Sequence, residues 1–110
     1  MIYELRQYVP VPGREADLRR RFADSTLDLF ARLDFRVLDF WEACDGKGDL
    51  WYLMEWEDEA TMQAAWDSFR RNPEWLAIKA ETEGTGPLAK AINSIPLRKA
   101  EFFGRTKSEK

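Results

Sequence analysis

The stretch 35-FRVLDFWEACDGKGDLWYLMEW-56 decides the fold. Two apolar-rich runs, 35–44 and 50–56, flank the polar link Asp45-Gly46-Lys47-Gly48-Asp49. Two glycines in so short a link between such runs predict a β-hairpin. The Gly-Lys-Gly is no phosphate-binding loop: the Gly-x4-Gly-Lys-Ser/Thr spacing is missing and no helical pattern follows. Pairing Cys44 with Leu50 sets even positions opposite even ones. One face then carries Leu38, Phe40, Cys44, Leu50, Tyr52 and Met54, with Cys44 as a small buried thiol. The other carries Val37, Asp39, Trp41, Ala43, Trp51, Leu53 and Glu55. Both faces are too apolar for water. A bare face with Trp41, Trp51 and Leu53 is a larger patch than monomers usually expose. One face therefore belongs under helices and the other against a second copy of the chain, which predicts a symmetric homodimer. A register shifted by one residue exchanges the lists of one strand but leaves both faces apolar.

The flanks agree with this reading. Towards the N-terminus, Leu18, Phe22, Leu29 and Leu33 recur at helical spacing, flanked by Ala16, Thr26 and Phe30, and predict a helix over 14–33. Arg14, Arg19, Arg20, Arg21, Asp24 and Asp28 are placed on its solvated outer face. Before it, residues 2–9 alternate as a strand, with Tyr3, Leu5, Gln7 and Val9 on one side and Ile2, Glu4, Arg6 and Tyr8 on the other. Towards the C-terminus, Glu57-Asp58-Glu59 loads a helix start with acidic charge, and Met62, Ala65, Trp66 and Phe69 carry its stripe to about Arg71. Asn72 ends that helix and Pro73 opens a short one to about Glu83. After the loop Gly84-Thr85-Gly86-Pro87, residues 88–95 read as a last strand, with Pro96 marking an edge or an exit. The order βαββαβ predicts an α+β, ferredoxin-like antiparallel sheet with its helices on one face, and two such sheets pair into a dimeric α/β barrel. One domain over 1–104 and a polar tail over 105–110 account for the chain.

Composition narrows the chemistry. The 110 residues include 17 Lys and Arg against 20 Asp and Glu, a net charge of -3. That balance lacks the basic footprint of a nucleic-acid binder. No run approaches the roughly 18 apolar residues of a membrane span. There is no histidine. Ser-His-Asp and Cys-His catalysis, histidine-built zinc sites and His-ligated haem are excluded with it. No metal or cofactor is expected. A single cysteine, Cys44, allows no internal disulfide and points to a reducing compartment, the cytoplasm. No basic and apolar leader precedes the first strand.

The second sheet face is not purely apolar. In the hairpin register above, Asp39 and Glu55 are cross-strand neighbours. If Glu4, Arg6 and Tyr8 look the same way, Arg6 lies among carboxylates. Charges buried there need partners, and two carboxylates held close raise one pKa. The candidate site is thus an inter-sheet pocket of Glu4, Arg6, Tyr8, Asp39, Trp41, Trp51, Leu53 and Glu55, shaped for a small apolar or aromatic ligand. The same residues also suit a structural ion-pair network.

Met1-Ile2-Tyr3-Glu4-Leu5-Arg6-x-Tyr8 with Pro12-Gly13, then Phe40-Trp41, then Leu53-Met54-Glu55-Trp56-Glu57-Asp58, resembles the NIPSNAP family. Asn72-Pro73-Glu74-Trp75 and Asn93-Ser94-Ile95 are similar to that family as well. The resemblance runs from residue 1 to about 103. It implies a dimeric α/β barrel but no settled activity, and hence a small dimeric domain of uncharacterised function with a small-molecule pocket. The wider superfamily implies an alternative, a cofactor-independent monooxygenase or isomerase acting on an aromatic or polyketide-like compound. There Asp39, Glu55, Arg6 or Tyr8 would handle the proton and Arg6 would face a developing carbanion. A protein-interaction module is the third reading.

Overall fold

In the computed structural model, residues 1–104 are described. The expected polar tail, 105–110, lies outside them. Four strands, β1 (Ile2–Pro10), β2 (Arg36–Glu42), β3 (Leu50–Trp56) and β4 (Ala89–Leu97), form one antiparallel sheet in the order β2-β3-β1-β4. Helices α1 (Glu15–Arg21) and α2 (Leu27–Arg32) are joined end to end by a π-helical turn, Phe22–Thr26. Helices α3 (Glu59–Arg70) and α4 (Pro73–Thr82) follow the hairpin. This is the α+β, ferredoxin-like arrangement.

Each boundary has a local cause. The first helical run ends in a Schellman turn: Phe35 N–H donates to the Phe30 carbonyl at 2.9 Å and Asp34 N–H to Ala31 at 3.2 Å. Asp34 takes the left-handed conformation this needs, with φ 61°. Phe35 then stacks on Phe30, ring centroids 5.5 Å apart. Asp58 caps α3 by accepting the Thr61 N–H at 2.7 Å. Asn72 caps α4 through Glu74 and Trp75 N–H, with Pro73 at the first helical position. In the hairpin loop, Gly48 has φ +90°, and a Cβ there would sit 2.7 Å from the Glu15 side chain. β4 continues through Pro96, which is tolerated because the strand is an edge.

Register settles which residues face the helices. In β3, Leu50, Tyr52, Met54 and Trp56 are buried while Trp51, Leu53 and Glu55 alternate on the open side. Glu42, not Cys44, pairs with Leu50. Strand β2 stops at Glu42, so Cys44 is exposed beyond it rather than buried in a strand. Between Val37 and Asp39 the register shifts by one at a β-bulge. Val37 therefore pairs with Met54 on the helix side, and Leu38 joins Tyr3, Leu53 and Leu97 on the open side. The two residues exchange the faces expected of them, because one extra residue reverses the alternation. The core between sheet and helices is aromatic: Phe22, Phe30, Tyr52, Trp56, Trp66 and Phe69 are all buried. Trp66 lies edge-on to Phe69, centroids 5.5 Å apart, and Phe69 lies 4.8 Å from Trp75. Among the described residues no helix is long and apolar enough to cross a membrane.

Candidate functional site

The expected pocket is divided by the sheet. Strand β1 pairs Glu4 with Met54, Arg6 with Tyr52 and Tyr8 with Leu50, so all three face the helices. Asp39, Trp41, Trp51, Leu53 and Glu55 stand on the opposite, open face. The condition that would have gathered Arg6 with Asp39 and Glu55 is not met. Nor are those two carboxylates cross-strand partners: the hairpin closes with Glu42, not Cys44, opposite Leu50, so Asp39 pairs with Leu53, and beyond the bulge Glu55 pairs with Arg36. Asp39 accepts its neighbour's N–H, from Phe40 at 2.9 Å. Glu55 lies 3.2 Å from Arg36.

On the helix side a compact polar cluster is set into the aromatic core. Glu4, 1% exposed, is saturated with donors. Its Oε1 accepts the indole N–H of Trp56 at 2.9 Å and of Trp66 at 2.8 Å. Its Oε2 accepts from Arg6 at 3.0 Å and from the Ser94 hydroxyl at 2.5 Å. Burial pushes the Glu4 carboxyl up, but the Ser94 and Trp66 hydrogen bonds and the Arg6 charge outweigh it and hold the group below its ordinary value. Glu4 is therefore an ionised acceptor with both oxygens occupied, poorly suited to moving a proton.

Arg6 is the other half of the cluster. Its guanidinium carbon lies over the Trp66 ring, 4.1 Å from the centroid. Its Nε donates to the Tyr52 hydroxyl at 2.8 Å, and a terminal nitrogen reaches the Tyr8 hydroxyl at 3.4 Å. Burial pulls Arg6 down, yet Tyr52, Tyr8 and Glu4 together hold it above its ordinary value. Burial pushes the Tyr52 hydroxyl well up, keeping it neutral beside that cation.

Arg6 and Tyr8 open into a cavity of about 460 Å³ between β1, β4, α3 and α4. Trp66, Phe69, Trp75 and Ile92 supply apolar wall, and Ser94 supplies a hydroxyl. A neighbouring cavity of about 370 Å³ shares Arg6, Trp66, Arg70 and Ser94 with it and reaches Glu4. Arg21 also stands on the first cavity's wall, its side chain 3% exposed. It pairs with Glu83 at 2.7 Å, and its Cζ lies 5.1 Å from the Trp75 ring centroid. Its Nε has no partner among the described residues. Arg21, Trp66 and Trp75 were not among the residues expected in the site. Arg21 was assigned to the solvated helix face, although its place three residues after Leu18 and next to Phe22 puts it on the border of the apolar stripe. On the open face, a separate cavity of about 480 Å³ is lined by Tyr3, Leu38, Leu53, Glu55 and Leu97.

A model of the NIPSNAP family matches residues 3–102. No curated protein matches the chain. Among solved structures, an uncharacterized NIPSNAP domain protein from Burkholderia xenovorans is 19% identical and superposes with a TM-score of 0.76, covering 93% of this chain and 97% of that one. A NIPSNAP family protein from Agrobacterium tumefaciens is 12% identical, with a TM-score of 0.77 and coverage of 92% and 94%. A putative antibiotic biosynthesis monooxygenase from Nitrosomonas europaea shares 7% identity, with a TM-score of 0.61 over 90% and 98%. At these identities the likeness is one of fold.

Proposed function

The chain belongs to the NIPSNAP family, whose members matched above are of uncharacterised function, and from that premise we propose that it binds a small molecule in the cavity between its sheet and helices α3 and α4. One observation carries this reading. A part-buried arginine, its guanidinium over a tryptophan ring and fixed by a saturated carboxylate, lies at the wall of a cavity of about 460 Å³. Ligand sites commonly combine an apolar enclosure of this size with a few convergent polar groups. In this proposal Glu4, Arg6 and Tyr8 serve the ligand site from this cleft rather than from between two sheets. Binding is favoured over proton transfer because Glu4 is ionised and fully engaged, while Asp39 and Glu55 lie across the sheet.

The open face, with Trp41, Trp51, Leu53 and Glu55, pairs with the same face of a second copy in the cytoplasm. What supports pairing is its exposure: Leu38, Trp41, Ile95 and Leu97 all remain more than two-fifths accessible in the single chain.

Crystals of the as-purified protein, with native mass spectrometry beside them, test the cleft. A retained molecule beside Arg6 and Trp66 is expected. A cleft holding only water, in a protein of unliganded mass that also binds nothing from an aromatic fragment screen, would sink the reading.

A further inference from the structure

The charges around the cleft are not evenly matched. Arg6, Arg21, Arg70 and Lys79 stand on its wall, with Glu83 as the carboxylate among them. Three of these cations have an acid partner: Glu4 for Arg6 at 3.0 Å, Glu83 for Arg21 at 2.7 Å and Asp67 for Arg70 at 2.6 Å. Lys79 makes no ion pair among the described residues. One positive charge is therefore left over.

The donors are unmatched too. A guanidinium carries five N–H groups. Arg6 uses three of them, on Tyr52, Glu4 and Tyr8. Arg21 Nε, deeply buried, has no acceptor among the described residues. Buried donors of this kind are rare, and each asks for an acceptor. Beside Arg6 the aromatic rings of Phe69 and Trp75, with Ile92, supply the apolar part of the wall.

We infer that the ligand is a planar aromatic monocarboxylate, its carboxylate on the unused N–H groups of Arg6 and its rings against Phe69, Trp75 and Ile92. A phosphate monoester brings nearly two negative charges at neutral pH and overfills a site with one to spare. A neutral aromatic leaves the arginine donors unanswered and desolvated. This assignment rests on the cleft being the binding site.

Titration calorimetry of the full chain with 2-naphthoate and 2-naphthamide tests it, since the two probes share a shape and differ in charge. The acid is expected to bind at least about tenfold more tightly, a difference of about 1.4 kcal/mol. Arg6→Lys keeps a cation beside Glu4 but loses the planar fork, and should narrow the preference to about threefold or less. Lys79→Ala removes an exposed rim charge and leaves the core intact. It should weaken the acid severalfold and leave the amide unchanged, so the test holds even if Arg6→Lys does not fold. Equal affinity for both probes overturns the charge assignment while the cleft reading stands. A preference for the acid that survives unchanged in Lys79→Ala and in folded Arg6→Lys overturns it as well. Failure of both probes to bind at millimolar concentration overturns the aromatic-carboxylate assignment, while the cleft reading is decided by the crystals and the fragment screen.

Discussion

Glu4 shows how a buried charge can be tolerated. Four donors converge on its two oxygens, two from indoles and two from Arg6 and Ser94. Removing one member of such a pair strands the other in the core, at a cost of about 3–5 kcal/mol. Glu4→Gln should lower the unfolding free energy by roughly that amount, read from urea denaturation at neutral pH. The pH dependence has a definite sign. The folded carboxyl titrates below its ordinary value. Its stabilisation is complete above the unfolded carboxylate pKa of about 4.3 and is lost as pH falls through the lower folded value. Wild type should lose stability steeply in that acid window, and Glu4→Gln should lose less there; parallel pH profiles would remove Glu4 from the account. The sequence showed that Glu4, Arg6 and Tyr8 share a face. It did not show which face, because each side of the hairpin is apolar.

At the scale of elements, the helices and strands were legible to within a few residues and the irregularities were not. The hairpin, the acidic start of α3 and the Asn72-Pro73 break follow from turn and capping chemistry. The bulge at Leu38 and the π-helical turn at Phe22–Thr26 each insert one residue into a regular period, and no composition signal marks either. The bulge exchanged the faces of Val37 and Leu38, while the longer hairpin link, closed by Glu42 and Leu50, separated Asp39 from Glu55. The π-helical turn begins directly after Arg21, whose side chain turns inward to Glu83 from the border of the apolar stripe. Two end signals give direct tests. Asp34 holds a left-handed backbone at the Schellman turn, where glycine is unstrained. Asp34→Gly should therefore stabilise the protein by about 0.5–1 kcal/mol, and Asp34→Val should destabilise it. Asn72→Ala removes the acceptor for two N–H groups of α4. It should cost about 1 kcal/mol, visible as a lower thermal midpoint. Asp34→Gly with an unchanged or lower midpoint would show that the turn is held by contacts other than its backbone conformation.

For the whole molecule, the sheet has two apolar faces and the helices cover one of them. Trp41 is 45% exposed and lies directly across from Trp51, with Leu38 and Leu53 beside them and Ile95 and Leu97 on β4. The aromatic excess in the sequence thus divides by location: Trp56, Trp66 and Trp75 fill the helix-side core, while Trp41 and Trp51 do not. Burying a side chain of this size is worth about 1.5–3 kcal/mol. A two-fold interface contains each residue twice, so one substitution acts on both copies. Trp41→Glu should then weaken self-association by about a hundredfold or more. The substitution should spare the fold, because Trp41 contributes to no buried cluster of the single chain. Sedimentation equilibrium of wild type at micromolar concentration should give twice the chain mass, and Trp41→Glu should give the chain mass with an unchanged circular dichroism spectrum. A monomeric wild type removes the need for any partner on this face. A Trp41→Glu dimer as tight as wild type puts the interface elsewhere, with the open face left to another occupant.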